Sequence, residues 1–426
     1  MKPLSLLLAL TVSVAAGGEF SILDHGATPD GLCTDQIQAT IDACAQSGGG
    51  TVVVPTGTFL TGSLFLRQGV GLRLDEGAVL KGSDHIEDYP KRPTRIEGHT
   101  EPWRMALLNA ADMTAVRISG KGTLDGDGEV FWKAFWQRRE ENPECTNLEV
   151  ERPRLLFLDT CTDVKIEGIR LRNSGFWNLH LYRCQQVTID GLDIHAPGAG
   201  DPVRAPSSDG IDIDSCQRVL VRNTRIATDD DCIAIKGSKG PTAGDDPDSP
   251  PAENIFIEDC DFARGHGVVT LGSEATRVRN VYVRRCTVGP GNSLVRLKLR
   301  PDTPQLYENL VYEDIELSGD TGSIFKVRPW SQFFDLQGHE PPASVVSNLV
   351  LRNIRGSYGK LGSLTGNEGD TIRNVVLENV DLELSSTGFR SSRIQNAIST
   401  GVVINGKSWR FPRTGPRPRI VVPAGR

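Results

Sequence analysis

The chain is poor in aromatic side chains, in methionine and in long apolar segments. Aromatic residues make up 6% of its 426 residues, and only three residues are methionine. The apolar run near the N-terminus is too short to cross a bilayer, which takes about 20 residues, and no other segment is long and apolar enough. Valine, isoleucine and leucine carry the apolar content, while 45 glycines and 25 prolines predict frequent turns. This composition is typical of a strand-rich protein without a membrane anchor.

The chain also has no closely spaced pair of cysteines and no excess of positive charge. The nine cysteines form no Cys-x-x-Cys pair, which argues against a zinc site. Their odd number leaves at least one without a partner in the same chain, and a disulfide between Cys33 and Cys44 remains open. The net charge of −7 argues against nucleic acid as a partner, because phosphate binding needs a basic surface. A local basic strip would still allow an anionic substrate.

The two ends of the chain differ from the rest. Residues 1–17 have the pattern of a secretory signal peptide, with Lys2, an apolar run over residues 4–14 and small residues up to Gly17. We therefore expect a secreted or periplasmic protein. Residues 407–426 are basic and rich in proline, which predicts a tail along the surface of a single domain formed by residues 18–406.

An imperfect repeat organises the chain between these ends. Each unit is a short strand with alternating apolar residues, followed by a turn. The units begin at Val164, Val187, Val219, Ile255, Val281, Leu310, Leu349 and Val375. Cys161, Cys184 and Cys216 each lie three residues before a unit, so successive coils would stack them as small buried side chains.

The spacing of the units predicts an all-β parallel β-helix. The units start 23 to 39 residues apart, which leaves no room for the helix of about 10 to 15 residues that separates strands in an α/β fold. The ends of such a solenoid expose unpaired strand edges and need covering. Residues 34–45 place Ile37, Ile41 and Cys44 on one helical face, so we expect a short N-terminal capping helix.

Four short segments fall on successive coils when their apolar positions are aligned. They are residues 207–214, 229–236, 265–271 and 296–300. Because neighbouring strands lie about 4.8 Å apart, Asp209 is expected beside Asp231, and Asp230 beside His266. The alignment therefore predicts one patch that holds three carboxylates and an imidazole.

Such a patch suits the hydrolysis of a glycosidic bond. One carboxyl group must keep its proton for the leaving oxygen, while another must be ionised to activate water or to attack the sugar. Carboxylates packed this closely do not all ionise easily, so we expect at least one raised pKa, with His266 tuning the acid. Arg296, Lys298 and Arg300 alternate on the solvent side of the next coil, where they would hold a sugar carboxylate.

In this order, the four segments resemble the signature of bacterial-type members of the polygalacturonase family, glycoside hydrolase family 28. Residues 207–209, 230–231, 265–267 and 296–298 match its Asn-Thr-Asp, Asp-Asp, Gly-His-Gly and Arg-Ile-Lys motifs. The resemblance implies a right-handed parallel β-helix of the pectin-lyase-like kind. It also implies inverting hydrolysis of α-linked, galacturonic-acid-containing pectic polysaccharide, with neither a metal nor another cofactor.

The resemblance assigns a role to each catalytic position. Asp230 would be the general acid, Asp209 and Asp231 would activate the water from the opposite side, and His266 would support the acid. The chain departs from the family pattern in its first motif, where Ser207 and Ser208 replace Asn and Thr.

The second motif is a run of three aspartates that starts at Asp229, so the pair's register is open. The step of 22 residues from Asp209 to Asp231 favours Asp230 and Asp231 as the pair.

Substrate-binding residues are expected on both sides of the carboxylates. By the resemblance, Arg296 and Lys298 bind the carboxylate of the sugar at the cleavage point. Two coils before Asp209, Asn178 and His180 are candidates for lining the cleft, and Trp177 for stacking on a sugar. Trp330 and the aromatic cluster at residues 131–136 are further candidates for sugar platforms.

Several alternatives remain open. Endo and exo action are both possible, and so are polygalacturonate and rhamnogalacturonan as substrates. The loop of residues 237–253 either narrows the cleft and favours cleavage at a chain end, or is a solvated insertion. A calcium-dependent pectate lyase and a non-catalytic glycan-binding β-helix are the competing hypotheses, and the aspartate pair followed by Gly-His-Gly favours the hydrolase. We expect a monomer that binds neither nucleic acid nor membrane.

Overall fold

Residues 17–412, which the computed structural model describes, wind into a parallel β-helix. Each coil contributes strands to three faces, and nearly every strand pairs in parallel with the strands one coil before and one coil after it. The predicted solenoid is confirmed. Apart from Gly17, the predicted signal peptide lies outside the described residues, as does the tail beyond residue 412.

The strands, numbered along the chain, are grouped by face. Face A holds β4 (Leu64–Phe65), β9 (Leu108–Ala111), β12 (Leu156–Asp159), β15 (Leu179–Tyr182), β18 (Ile211–Asp214), β21 (Ile233–Lys236), β24 (Val269–Leu271), β26 (Ser293–Leu299) and β28 (Ser323–Pro329). Face B holds β1 (Glu19–Ser21), β2 (Gly50–Val54), β5 (Val70–Leu74), β10 (Arg117–Gly120), β13 (Thr162–Glu167), β16 (Gln185–Asp190), β19 (Gln217–Arg222), β22 (Ala252–Glu258), β25 (Arg277–Val288), β27 (Leu306–Ser318), β29 (Val345–Leu364), β30 (Thr371–Ser391) and β31 (Ile394–Ile404). Face C holds β3 (Gly57–Thr61), β6 (Ala78–Gly82), β11 (Thr123–Asp125), β14 (Arg170–Arg172), β17 (Asp193–His195), β20 (Arg225–Ala227) and β23 (Asp261–Arg264). The long strands β29 and β30 continue round the solenoid and pair beside β28 on face A.

A few elements lie outside the three faces. The helices are α1 (Thr34–Gln46) and α2 (Glu129–Glu141), and single 3₁₀ turns span Ile22–His25, Ile86–Asp88, Asn147–Glu149 and Ala243–Asp245. The strands β7 (Lys91–Ile96) and β8 (His99–Arg104) form an antiparallel hairpin, and β32 (Lys407–Ser408) pairs antiparallel with β31. In residues 17–412, no helix has the length and apolar character that a membrane crossing requires.

The repeat register is the one that the apolar alternation predicts. The first apolar residues of the units pair in the order Val164, Val187, Val219, Ile255, Val281, Leu310, Leu349 and Val375. Their side chains are buried inside the solenoid. Since burial of such a side chain contributes about 1.5–3 kcal/mol, a shift by one residue would expose the whole row and is disfavoured.

The cysteines also lie inside the coils. Cys161, Cys184 and Cys216 stack on successive coils, and the backbone N–H of Cys184 donates to the Cys216 sulfur at 3.2 Å. All nine cysteines lie in the described part of the chain, and all are buried and free of disulfides. The possible bridge between Cys33 and Cys44 does not form.

The capping helix is present where it was expected. Helix α1 turns Ile37, Ile41 and Cys44 into the solenoid core, and it covers the first coil through contacts with β1, β2 and β4. The open strand edges at this end are therefore protected from pairing with other chains.

Six asparagines form a ladder near the N-terminal ends of the later face B strands. Asn254, Asn280, Asn309, Asn348, Asn374 and Asn396 occupy equivalent positions on successive coils. From Asn280 onward, each side-chain amide donates to the amide oxygen of the asparagine one coil earlier, at 2.8–3.3 Å. All six have positive φ, between 58° and 63°, which asparagine tolerates better than most residues.

Candidate active site

The four sequence motifs meet on face A. Strand pairing aligns Ile211 with Ile233, then with Val269 and Val295, as their alternation predicts. The motif carboxylates lie at the ends of these strands. One oxygen from each of Asp209, Asp230 and Asp231 lies within 4.8 Å of the others.

The two glycines of the Gly-His-Gly segment are required for close packing. A Cβ atom on Gly265 would lie 2.5 Å from the Cys232 sulfur and 2.9 Å from the Asp230 carbonyl oxygen. A Cβ atom on Gly267 would lie 2.4 Å from the Thr270 hydroxyl. Any larger residue at either position would push His266 and its coil away from the carboxylates.

Asp231 is fully buried behind the other two carboxylates. It accepts a hydrogen bond from the Thr270 hydroxyl at 2.6 Å and one from Lys298 Nζ at 2.9 Å, and Arg296 Nη1 lies 3.1 Å away. Burial raises the pKa of this carboxyl, but the charges of Arg296 and Lys298 outweigh it, so the pKa is lowered. Asp231 is therefore ionised and holds both cations in place.

Asp230 is the most exposed of the three carboxylates, with 29% of its side chain accessible. Its Oδ1 lies 3.1 Å from His266 Nδ1. Although burial raises the pKa of Asp230, the charge and hydrogen bond of His266 and the charges of Lys298 and Arg296 lower it overall. Burial lowers the pKa of His266, but Asp230 raises it above its ordinary value. In the free protein this pair therefore keeps its proton on the imidazole.

For Asp209, burial outweighs the effect of the neighbouring cation, so its pKa is raised. Burial raises its pKa to about 6, and the charges of Asp230 and Asp231 add to the rise although Lys236 opposes it. The Lys236 ammonium lies 3.2 Å from Asp209. The expected raised pKa is therefore found, but on Asp209 and not on the predicted acid, Asp230.

Lys236 contributes a charge network under Asp209 that the sequence analysis did not assign. Its ammonium lies 3.4 Å from the fully buried Asp212, 3.8 Å from Glu274 and 4.4 Å from the centre of the Trp177 ring. Burial and the neighbouring Asp209 raise the pKa of Asp212 well above its ordinary range. Lys236 therefore balances a group of carboxylates that span three coils.

The third aspartate of the run faces away from this cluster. Asp229 pairs with Arg204 at 2.8 Å, and its backbone N–H donates to the Ser208 hydroxyl at 3.0 Å. The register that assigns Asp230 and Asp231 to the cluster is therefore the observed one.

Asp209 and Asp230, but not Asp231, line a small cavity of about 240 Å³. One side is formed by the hairpin of β7 and β8, whose tip carries Glu97. Asn147 donates to Glu97 at 3.0 Å, and Lys239 lies 3.9 Å from the same carboxylate. Gly98 packs so tightly against the Glu274 side chain that a Cβ atom there would lie 3.0 Å from it. The hairpin therefore blocks the groove of face A on its N-terminal side.

A buried ion pair anchors this hairpin. Arg95 donates to Asp214 at 2.9 Å, and both side chains are at most 2% exposed. Arg95 also donates to the Ser238 hydroxyl at 3.0 Å. Next to this pair, Ile96 and Trp103 pack on Phe176 and Trp177. Removal of one partner of such a buried pair typically lowers the stability of a protein by about 3–5 kcal/mol. The pair therefore holds the hairpin firmly against face A.

The sequence profile described as "Glycosyl hydrolases family 28" matches residues 44–403. The chain belongs to glycosyl hydrolase family 28.

Relatives in this family cover most of the chain. An exopolygalacturonase of Platanus acerifolia is 24% identical over 88% of this chain and 92% of its own length. A polygalacturonase of Medicago sativa is 25% identical over 89% of this chain and 86% of its own length. Among solved structures, the fold is similar to an exopolygalacturonase of Thermotoga maritima (TM-score 0.71, 22% identity, 90% of this chain and 92% of that one). It is also similar to a polygalacturonase of Erwinia carotovora (TM-score 0.69, 22% identity, 92% of this chain and 97% of that one).

Two predicted substrate-binding residues of this family 28 hydrolase are not accessible. Asn178 and His180 lie one coil before Asp209 and not two, and both are fully buried. Asn178 donates to the carbonyl oxygens of Ser208 and Asp209, and so fixes the backbone that carries the carboxylate. His180 lies under the hairpin against Arg154, and burial lowers its pKa to about 3. The prediction that they line the cleft is wrong, because the hairpin covers an otherwise outward-facing position.

Only some of the aromatic residues proposed as sugar platforms are accessible from the cavity. Trp330 lines the cavity with Lys298 Nζ 4.9 Å from its ring centre, while Trp177 lies in the wall and is only 3% exposed. The cluster at residues 131–136 belongs to α2 and packs mostly inward, away from the carboxylates. That helix instead supplies Arg139 to the cavity wall.

Arg300 and the 237–253 loop also differ from the simplest expectation. Arg300 reaches the cavity wall, but its guanidinium makes two hydrogen bonds of 2.8 Å to Asp302, and the side chain is 2% exposed. The loop places Lys239 in the cavity and uses Ser238 to hold the hairpin. It therefore narrows the cleft, as one of the two interpretations predicted.

The carboxylate cluster has the ligand spacing of a cation site. Its charges are already balanced by Arg296, Lys298, Lys236 and His266. A calcium ion prefers six to eight oxygen ligands, whereas Asp231 is buried and fully engaged with cationic side chains. The residues present therefore fit a calcium-dependent lyase poorly.

Proposed function

We propose that this family 28 hydrolase is a polygalacturonase that removes galacturonic acid units from the end of an α-linked galacturonan chain. The observation that carries the proposal is the cavity that Asp209, Asp230 and His266 line together with Arg296 and Lys298. Carboxylates supply the acid and the base of glycoside hydrolysis, and the two cations match the carboxylate of a uronic acid.

Substrate binding would change the charge balance of the cluster. The substrate carboxylate would compete with Asp231 for Arg296 and Lys298, because both now bind that buried aspartate. The same two cations lower the pKa of Asp230. Once a substrate carboxylate neutralises them, the pKa of Asp230 rises, and it can take the proton that His266 holds at 3.1 Å.

The roles of acid and base follow from accessibility. Asp230 is exposed enough to reach a glycosidic oxygen, and its imidazole neighbour supplies and restores the proton. Asp209 lies in the cavity wall, where a water molecule could donate to it, and Asp231 lies behind it. Asp209 acts as the base only when it is ionised, and Lys236 at 3.2 Å favours that form.

We propose that the reaction inverts the anomeric configuration. The carboxylate oxygens approach within 4.8 Å, which by distance alone is closer to the carboxyl spacing of about 5–5.5 Å in retaining enzymes than to about 6.5–9.5 Å in inverting ones. A retaining enzyme, however, needs a carboxylate that attacks the sugar carbon. Asp231 is fully buried and Asp209 is 4% exposed, so a bound water is the better placed nucleophile.

End-on action is proposed from the shape of the cavity. The hairpin tip at Glu97 and Gly98 closes the groove against Glu274. A chain that bound across this point would have to displace the hairpin and its buried Arg95–Asp214 pair. Two relatives that cover most of this chain are named exopolygalacturonases, which agrees with the proposal.

The test is the product pattern on two polymers. Purified protein is incubated with polygalacturonate and, separately, with rhamnogalacturonan, and early products are separated by chromatography while solution viscosity is followed. We expect a single short product from polygalacturonate, with viscosity falling slowly relative to reducing-end release. A ladder of oligomers would refute end-on action, and cleavage of rhamnogalacturonan alone would refute the substrate.

The cellular setting is part of the proposal. We propose that residues 1–17 direct secretion or export to the periplasm and are removed, and that the mature protein acts as a monomer on pectic polysaccharide. N-terminal sequencing of protein from the culture medium or periplasm, with light scattering of the same sample, tests both points. An N-terminus that still begins at Met1 would contradict the export proposal.

A further inference from the structure

A second and larger cavity lies on face A beyond the catalytic coils. It has a volume of about 840 Å³ and is lined by residues of β26, β28, β29 and β30 and of the turns that precede β26 and β28. Four of its lining residues are cations: Lys326, Arg328, Lys360 and Arg390. Asp320 is the one carboxylate among its lining residues. We call this cavity the cationic groove.

The cationic groove continues directly from the catalytic site. Strand pairing places Lys326 beside Arg296 and Arg328 beside Lys298, one coil further along the solenoid. Two coils later, Arg390 occupies the same row as Lys326. Ser363 occupies this row on the coil between them, so with strands about 4.8 Å apart the cations reach about three coils beyond the substrate-binding pair.

These four cations lack the partners that most surface cations of this protein have. Within residues 17–412, none of them forms an ion pair or a side-chain hydrogen bond, and the undescribed ends contain no aspartate or glutamate. Burial and the charges of Arg296 and Arg328 lower the pKa of Lys326 to about 8. Like charges gathered without a counter-charge destabilise the free protein, and an anionic ligand would relieve this repulsion.

Most of the other residues that line the groove are small: nine are glycine or serine, and Phe325 and Phe389 also line it. The glycines leave room for a chain of rings, and the serines offer hydroxyl groups to sugar oxygens.

We propose that the cationic groove holds the rest of the uronate chain while its end occupies the catalytic cavity. This inference rests on the proposed polygalacturonase function and deepens it. Because the hairpin closes the groove of face A on the other side, the polymer must extend along the coils that follow the site. Every unit of an unesterified galacturonan carries a carboxylate, so the groove selects long, unesterified chains. The basic residues 413–426 have the wrong charge to be its occupant.

The test compares two triple variants of equal charge change. The groove variant combines Arg328→Gln, Lys360→Gln and Arg390→Gln, which are exposed positions. The matched control combines Arg170→Gln, Arg218→Gln and Arg373→Gln, which are exposed and lie on faces B and C. KM and kcat are measured on polygalacturonate and on digalacturonate, at low and at high salt.

We expect KM for polygalacturonate to rise roughly 3- to 100-fold in the groove variant, since each exposed charge contact contributes modestly. The loss on digalacturonate should be much smaller, and added salt should weaken the variant less than the wild type. The control variant should match the wild type. Equal losses on both substrates, or an equal loss in the control, would overturn the proposal.

A binding experiment separates this inference from the proposed function. Both triple variants are placed in an Asp230→Asn background, and their affinity for polygalacturonate and for fully methyl-esterified pectin is measured by calorimetry. Tighter binding of polygalacturonate that only the groove variant loses supports the groove, even if the wild type proves to hydrolyse another pectic polymer. Equal affinity for the charged and the neutral polymer contradicts it.

Discussion

Substitution of Asp230 by asparagine tests the acid role with little change of shape. The asparagine side-chain oxygen can still accept the hydrogen bond that the Asp231 N–H donates to Asp230 Oδ1 at 3.0 Å, so the fold should be kept. General acid catalysis contributes about 10²- to 10⁴-fold to rate, which corresponds to about 3–5 kcal/mol of activation free energy. We expect kcat on polygalacturonate to fall by at least this factor.

The leaving group makes this prediction specific to the acid. An aryl galacturonide with a very acidic phenol needs no protonation when the bond breaks, so Asp230→Asn should lose little activity on it. Asp209→Asn is the matched control, because loss of the base impairs both substrates equally. The assay is reducing-sugar release for the polymer and phenolate absorbance for the aryl glycoside, with circular dichroism as the check on folding.

The raised pKa of Asp209 makes the opposite outcome meaningful. If Asp209→Asn, and not Asp230→Asn, were rescued by the activated leaving group, then Asp209 would be the acid. The observed charge distribution, with a raised pKa at Asp209 and a lowered one at Asp230, would then describe the working enzyme directly. Retention of normal activity on the polymer by both variants would refute hydrolysis at this cluster.

The remaining predictions concern binding, pH and metal dependence. Lys298→Ala should raise KM for polygalacturonate by about tenfold or more and should also lower the melting temperature, since it leaves the buried Asp231 with one cation fewer; unchanged kinetics would reject the carboxylate-binding role. Because the folded-state pKa of Asp209 is raised to about 6 from an ordinary 3.8, ionisation of Asp209 destabilises the fold as pH rises through this interval. The melting temperature of Asp209→Asn minus that of the wild type, measured by calorimetry, should therefore increase between about pH 4 and pH 7. A difference that does not change with pH would contradict the assignment. Activity should decline as the pH rises through the raised pKa of His266, because the imidazole then loses the proton that Asp230 helps it keep, and His266→Ala should remove this limb from the pH–rate profile. Chelation with EDTA should leave the rate unchanged and products should not absorb in the ultraviolet as unsaturated uronates do, whereas a lyase would fail on both counts.

The solenoid and the carboxylate cluster were predictable because their signals are local. Alternation of apolar residues sets the register of each strand, and stacking at about 4.8 Å then converts sequence offsets into neighbours. In this way Ile211, Ile233 and Val269 sufficed to bring Asp209 and Asp230 together.

The cavity walls were not predictable, because they come from distant segments. Arg95 and Asp214 are 119 residues apart in sequence, and no periodicity links the hairpin to β18. His180 alternates outward from β15, as the pattern says, but the hairpin covers it, and this reverses its accessibility. Lys236 was visible as an outward residue in the second motif, yet its partners Asp212 and Glu274 belong to the coils on either side.

The asparagine ladder ties each coil to both of its neighbours. Replacement of Asn309 by alanine would leave the side-chain oxygen of Asn280 without its donor and the side-chain N–H of Asn348 without its acceptor. A single substitution would therefore break hydrogen bonds that involve three coils. A transplanted or duplicated coil would thus have to bring its own asparagine, in the same left-handed turn, to be accepted by the stack. The ladder therefore restricts the positions at which coils can be inserted into or removed from this solenoid.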